Sequence, residues 1–207
     1  MELNGSWGYK KDPSDELTID SAQRSDEWSE MEIPNNWYME GLDYFGTVWF
    51  RKNFDFESEH ERAVLQFNGV DYFASVWLNN RKIGEHEGYF QPFEFDVTEE
   101  IKKGENSLVV KVESPREEPG EVWPAKKFLI KGIFNHHDAR PGSWDPQRGQ
   151  EKNTGGIWNT GDISGKPQSR ITNLRISPCL LEDGSALIRT KVDVQNEGSS
   201  CQAKLKF

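Results

Sequence analysis

No stretch of this chain carries an apolar stripe at helical spacing over an ordinary helix length, which argues against helical bundles and against alternating β/α architecture. Cysteine is nearly absent. Cys179 and Cys201 are too few for a disulfide framework and lack metal-ligand spacing, so they read as two free thiols, with a single bridge between them as the alternative, and leave the redox compartment open. Long apolar runs are missing as well: hydrophobic residues make up 34% of the chain and the mean hydropathy is −0.81, which argues against a membrane protein. Positive charge is in deficit, with 25 basic against 35 acidic residues and a net charge of −10. That balance opposes phosphate backbones and anionic lipid, so neither nucleic acid nor membrane is an expected partner, whereas neutral or cationic ligands are. No apolar run follows Met1, so a secretory leader is expected to be absent or already removed.

What the chain does have is alternation. Val48, Phe50, Phe54 and Phe56 flank Arg51 and Lys52; Ala63, Leu65 and Phe67 share one face; Ala74, Val76 and Leu78 oppose Phe73, Ser75 and Trp77. Each pattern has the two-residue period of a half-buried strand. Asn79-Asn80 tolerates positive φ and marks a hairpin returning through Ile83 and Gly84. Phe93 and Phe95 form another strand, and the Lys103–Asn106 turn, with Asn106 expected to bond backbone, leads into Leu108, Val110 and Val112. Gly69, Gly84 and Gly88 read as turn or bulge positions, and Trp49, Trp77, Phe93 and Phe95 as core aromatics holding a sandwich. The best helical candidate is a short turn near 98–102 with Thr98 as N-cap. The predicted class is all-β, with strands spaced like a jelly-roll sandwich.

One segment breaks the alternation. Lys131–Trp158 is dense in Gly, Pro, Trp, His and Asp and has neither period. A connection this long is usually functional or disordered, and Phe134, Trp144, Ile157 and Trp158 argue for order. It is expected to be an ordered loop that presents a site. Beyond it, Ile171–Ser177 reads as a strand punctuated by Pro178, and Ala186 to Gln195 alternates cleanly before a turn at Asn196–Ser200 and a last strand through Ala203, Leu205 and Phe207. Two strands alone are marginal. The expected division is therefore 1–178 for a first domain and 179–207 for the opening strands of a second, cut sandwich; the alternative is that these strands complete the first domain.

Several motifs in series resemble a known family. They are Pro34 and Trp37; Tyr44-Phe45-Gly46-Thr47-Val48-Trp49-Phe50-Arg51-Lys52, similar to "YxGxxWYRR"; the run Gly69 to Asn80; Ile83 to Phe90; Pro92 to Thr98; and Gly155-Gly156-Ile157-Trp158, similar to "GGIW" or "SGIF". Together, over roughly 28–177, they resemble the N-terminal galactose-binding-like jelly-roll domain of glycoside hydrolase family 2, which holds β-galactosidases, β-glucuronidases and β-mannosidases. The resemblance implies an immunoglobulin-like sandwich after the jelly roll and a periplasmic or secreted setting. It also implies retaining hydrolysis of a β-glycoside by a longer parent enzyme, of the β-galactosidase type, with two carboxylates about 5–5.5 Å apart. In the family both lie in a later barrel of about 250 residues, so no catalytic residue is expected here and the chain alone is expected to be inactive.

By the same resemblance, loops of this domain line the substrate pocket. The family's Asn or Asp ahead of the strand glycine falls on Asp43, and its polar position before "GIW" falls on Gln150, where an uncharged amide replaces the usual Asp or Arg. Gly142-Ser143-Trp144-Asp145-Pro146 echoes the mannosidase pattern "GWDWGP". Trp144 would stack on a sugar while Asp145 accepts hydroxyl hydrogen bonds; read without the family, Asp145-Pro146 is a turn and Trp144 a loop anchor. His136 and His137 with Asp138 lack a third spaced ligand, so neither a metal nor another cofactor is expected, and nothing places Asp138 and Asp145 on rigid elements as a catalytic pair. The expected partners are a β-glycoside and the remaining domains of a parent chain, with oligomerisation open. Competing functions are a free-standing carbohydrate-binding module and a purely structural or oligomer-forming domain.

Overall fold

Strand alternation organises nearly everything in the computed structural model, which describes residues 1–58, 62–120, 129–130, 144–196, 198–200, 202, 204 and 206. In chain order the elements are β1 (Gly5–Asp12), α1 (Ile19–Arg24), β2 (Ser29–Ile33), β3 (Gly46–Phe56), β4 (Arg62–Phe67), β5 (Phe73–Leu78), β6 (Arg81–Glu87), β7 (Phe93–Asp96), β8 (Gly104–Ser114), β9 (Trp144–Asp145), β10 (Gly149–Gln150), β11 (Gly161–Lys166), β12 (Ser169–Leu180) and β13 (Ala186–Asn196). A six-stranded sheet, ordered β2-β1-β3-β8-β5-β6, faces a three-stranded sheet ordered β11-β4-β7. Neighbouring strands run antiparallel throughout, and the central pair β3–β8 holds register from Gly46 opposite Ser114 to Phe56 opposite Gly104.

The even-numbered side chains of β3, β5 and β8 point between the sheets. There Phe50, Leu78, Leu108 and Val110 meet Leu65 and Phe67 from β4 and Ile163 from β11, each of them fully buried. Burying such a side chain stabilises the fold by about 1.5–3 kcal/mol. Phe93 and Phe95 pack against this core from β7, as expected.

Trp49 and Trp77 do not belong to it. Trp49 is buried, but its neighbours Val48 and Phe50 already face inward, so strand parity sends its indole to the opposite side of the sheet. It stacks on Trp77, with ring centroids 5.3 Å apart and an interplanar angle of 26°, and a second apolar layer of Ala22, Leu17, Ile19, Trp28 and Val109 covers the pair. The cover is α1, a six-residue helix. It begins in a capping box: Thr18 Oγ1 accepts from the Ser21 amide at 3.2 Å and Ser21 Oγ from the Thr18 amide at 2.8 Å. Buried Asp12 anchors its approach, accepting from the amides of Glu16 and Leu17 and from Trp49 Nε1. Residues 98–100 form only a turn; the Thr98 amide gives its hydrogen to Asp96 Oδ1, so Asp96 rather than Thr98 opens it.

Turn chemistry follows the sequence closely elsewhere. Asn79 and Asn80 have φ of 50° and 73°, the positive pair a two-residue primed turn requires, and Asn106 bonds the backbone of Lys102 and Gly104. Gly88 has φ +134°. Gly84 sits where the β5–β6 register slips, opposite Val76 while Lys82 faces Trp77, as a bulge position should, and it is needed for space as well, since a Cβ there would run into the edge of the Phe95 ring.

Among the described residues the strands after the sandwich pair only with each other, Ser169 opposite Asn196 and Leu180 opposite Ala186; the last strand expected through Ala203, Leu205 and Phe207 lies on positions outside the described residues. Pro178, expected to punctuate the strand, lies inside β12 opposite Ile188; a residue without an amide hydrogen is tolerated in a strand with an open edge. Arg170 at the foot of this hairpin reaches Glu94 of the smaller sheet at 2.7 Å.

Candidate functional site

β3 begins, β5 begins and β8 ends at one end of the large sheet, as the pairings of Gly46 with Ser114 and Phe73 with Glu113 show. The segment 149–158 crosses this end and is tied down at nearly every residue. Gln150 donates its amide hydrogen to Glu117 O at 2.7 Å and accepts at Oε1 from the Glu117 amide at 3.2 Å. Asn153 donates through both backbone and side-chain nitrogens to Asp43 Oδ1, each at 3.0 Å, while its carbonyl accepts from Trp37 Nε1 at 3.2 Å. The Trp37 amide reaches Gly155 O and the Asn35 amide Ile157 O, both at 3.0 Å. Gly155 has to be a glycine, because a Cβ there would overlap the Trp37 indole.

Beneath this segment lies a carboxylate that sequence reasoning passed over. Asp71 is fully buried; its Oδ2 accepts from Thr154 Oγ1 at 3.1 Å, and its backbone exchanges hydrogen bonds with Gly156. Ser114 Oγ stands 3.1 Å from Asp71 Oδ1 and 2.6 Å from Thr154 O, so its one proton serves one of them at a time. Asp71 lies inside a quoted motif, but a single Asp in a loop gives no sequence signal of burial; the only hint is its position between two strands that must close over Ile157.

The four residues expected to face a ligand gather on this end. Asp43 is exposed and clamps Asn153. Trp144 and Gln150 are cross-strand partners in the small β9–β10 hairpin, which the aperiodic sequence does not reveal. Trp144 Nε1 donates to Glu118 O at 3.1 Å. Asp145 Oδ1 accepts from the amides of Gln147 and Arg148 at 2.9 and 3.0 Å, the geometry of an Asx turn. Gln150 is 5% exposed, and its Nε2 has no acceptor among the described residues. Beside it, the Arg116 guanidinium lies over the Phe45 ring at 5.2 Å and donates to Arg148 O. His136, His137 and Asp138, together with Phe134, fall outside the described residues.

Next to the clamp, Tyr89 stacks on Trp158 with centroids 4.6 Å apart and an angle of 17°. Burial, aided by the Asp71 charge, pushes the Tyr89 phenol up to about 12, and burial also raises Tyr72. Both are therefore neutral donors at ordinary pH rather than bases. Among the described residues no group of three or more His, Cys, Asp or Glu side chains is arranged to hold a metal ion. The described arrangement offers hydrogen-bond donors, acceptors and an aromatic face, the equipment of recognition.

The model for a glycosyl hydrolase 2 galactose-binding domain-like family matches residues 25–159. A β-galactosidase of Thermoanaerobacter pseudethanolicus is 31% identical over 110 residues, 50% of this chain and 15% of that protein. The fold resembles that of an uncultured Clostridium β-glucuronidase, with a TM-score of 0.71 and 23% identity over 95% of this chain and 34% of that one. It likewise resembles a β-D-mannosidase from Dictyoglomus thermophilum, with a TM-score of 0.71 and 22% identity over 96% of this chain and 26% of the other. The chain thus spans at most about a third of the length of these relatives.

Proposed function

Because the chain belongs to the glycosyl hydrolase 2 galactose-binding domain-like family, we propose that it is the non-catalytic N-terminal domain of a retaining family 2 β-glycosidase of the β-galactosidase type. In this reading the catalytic carboxylates lie elsewhere in a longer parent, the chain by itself does not hydrolyse glycosides, and its role is to support the catalytic domain and line one wall of the substrate pocket. The groups that would face the sugar are Gln150, Asp43 and the ring of Trp144, with Asp145 fixing the turn that spaces Trp144 from Gln150. The observation that carries the proposal is the Gln150 amide nitrogen: a buried donor without an acceptor among the described residues, on a backbone otherwise tied at both ends. Buried donors are nearly always satisfied, and a substrate hydroxyl is an acceptor of the right kind.

The test is kinetic. In the parent enzyme Gln150→Ala is expected to lower kcat/KM for an aryl β-galactoside by about 10–100-fold, equivalent to about 1–3 kcal/mol of lost transition-state binding, and to lower the thermal midpoint as well, because the Glu117 amide loses its acceptor at Gln150 Oε1. Unchanged kcat/KM would remove Gln150 from the pocket. Faster turnover of an aryl β-glucuronide or β-mannoside than of the galactoside would overturn the substrate assignment. Binding of galactose by the 207-residue chain with better than millimolar affinity, combined with unaltered kinetics in the variant, would make it a free-standing carbohydrate-binding module instead.

A further inference from the structure

About seven residues along β3 from the Gly46 end, roughly 23 Å at strand rise, the outer face of the large sheet carries a second cavity. It measures about 320 Å³ and is lined by Gln23, Arg51, Asn53, Asn79, Glu105, Asn106 and Ser107. Asn53 and Ser107 are cross-strand partners on β3 and β8, and Arg51 and Glu105 stand two residues from them on the same face. Gln23 closes the cavity from the end of α1. Its volume is at the lower end of the range for small-molecule sites, enough for one compact ligand.

The chemistry of the lining narrows the ligand. Arg51 is held in place from behind: its guanidinium stacks on the Trp28 ring at 4.5 Å, and Nη1 donates to the carbonyls of Gln23 and Ser25. Asn79 and Asn106 are occupied in the turn beneath. Gln23 Nε2, by contrast, is buried without an acceptor among the described residues. Asn53 and Glu105 are exposed, with no side-chain partner among those residues. One guanidinium and one carboxylate cancel in charge, and the remaining groups are amide and hydroxyl. A wall that offers donors and acceptors side by side with no net charge suits groups that are themselves both donor and acceptor. Vicinal hydroxyls of a neutral sugar are such groups; an anion would meet Glu105, and a cation Arg51.

We propose that this cavity is a second, separate binding site for a neutral monosaccharide unit, contacted by Arg51, Asn53, Glu105 and Gln23 and remote from the end that carries Gln150. The probe is the 207-residue chain titrated with galactose, glucose, mannose and glucuronate while backbone amide shifts are followed by NMR. At least one neutral sugar is expected to shift the amides of Gln23, Arg51, Asn53 and Ser107 with a millimolar Kd. Asn53→Ala is expected to weaken that binding by about tenfold, which is about 1.4 kcal/mol, without moving the thermal midpoint, because the Asn53 side chain has no partner among the described residues. Ser107→Ala serves as an independent second variant expected to act in the same direction. Shifts confined to Gln150 and Asp43, no shifts at the cavity, stronger binding of glucuronate than of neutral sugars, or binding unaltered by both variants would each overturn the proposal. In the parent enzyme Asn53→Ala should leave kcat/KM on small aryl glycosides unchanged, whereas Gln150→Ala should not, so the two sites fail separately.

Discussion

Gly155 and Trp37 show how a single atom fixes the position of the loop at the candidate site. The indole occupies the space where a side chain would begin, and the backbone of the same two residues is hydrogen-bonded. Gly155→Ala is expected to lower the unfolding free energy by about 1–3 kcal/mol through overpacking, read as a lower midpoint in urea with the same slope. An unchanged midpoint would mean that the segment can shift away from Trp37. Of the four site residues proposed from sequence, Asp145 has the turn geometry that its neighbour Pro146 suggests, while the buried amide of Gln150 was not legible. Glutamine carries no sign of its own burial; that depends on Glu117, which is 33 residues away in sequence.

At the scale of elements, alternation located β3 through β8 because each strand is long enough to show its period. It did not locate β1 or β2. In β1, Gly5 and Gly8 interrupt the pattern, and Lys10 and Lys11 stand where a period would continue. The helix α1 is less than two turns long, too short for an apolar stripe, and its capping box uses Ser21 in place of the usual Glu or Gln. Parity within β3 allowed Trp49 only the outer face, so a buried tryptophan outside the inter-sheet core was the signal of a missing cover.

The seam between β6 and β7 carries a titratable group. His86 stacks on Phe93 with centroids 4.0 Å apart, its Nε2 is buried without a partner among the described residues, and burial lowers its pKa from 6.5, partly offset by the Glu87 charge. Because the folded state favours the neutral ring, the unfolded chain takes up the proton first. The stability contributed by neutral His86 is complete above pH 6.5 and declines as pH falls through that value toward the lower folded pKa, below which the loss is constant. The thermal midpoint of the wild type should therefore fall between pH 8 and about pH 5.5 by more than that of His86→Gln; equal falls would show that other groups carry the dependence.

Across the whole molecule, stability is distributed unevenly. The sandwich buries Phe50, Leu65, Phe67, Leu78 and Leu108 between two sheets, whereas among the described residues β12 and β13 form a sheet of two with Leu174, Ile176 and Ile188 more than half exposed. Amide exchange in β12–β13 is expected to be faster by orders of magnitude than in β3–β8, whose opening requires global unfolding. Equal protection would show that the hairpin is held by something stronger than the Arg170–Glu94 pair. The outer layer under α1 has an optical consequence. Two indoles with centroids 5.3 Å apart and planes inclined by 26° are close enough to couple their electronic transitions and skewed enough for the coupling to be chiral, so the Trp49–Trp77 pair should produce an exciton couplet in circular dichroism that weakens when α1 lifts away and survives any change confined to the loops at the far end.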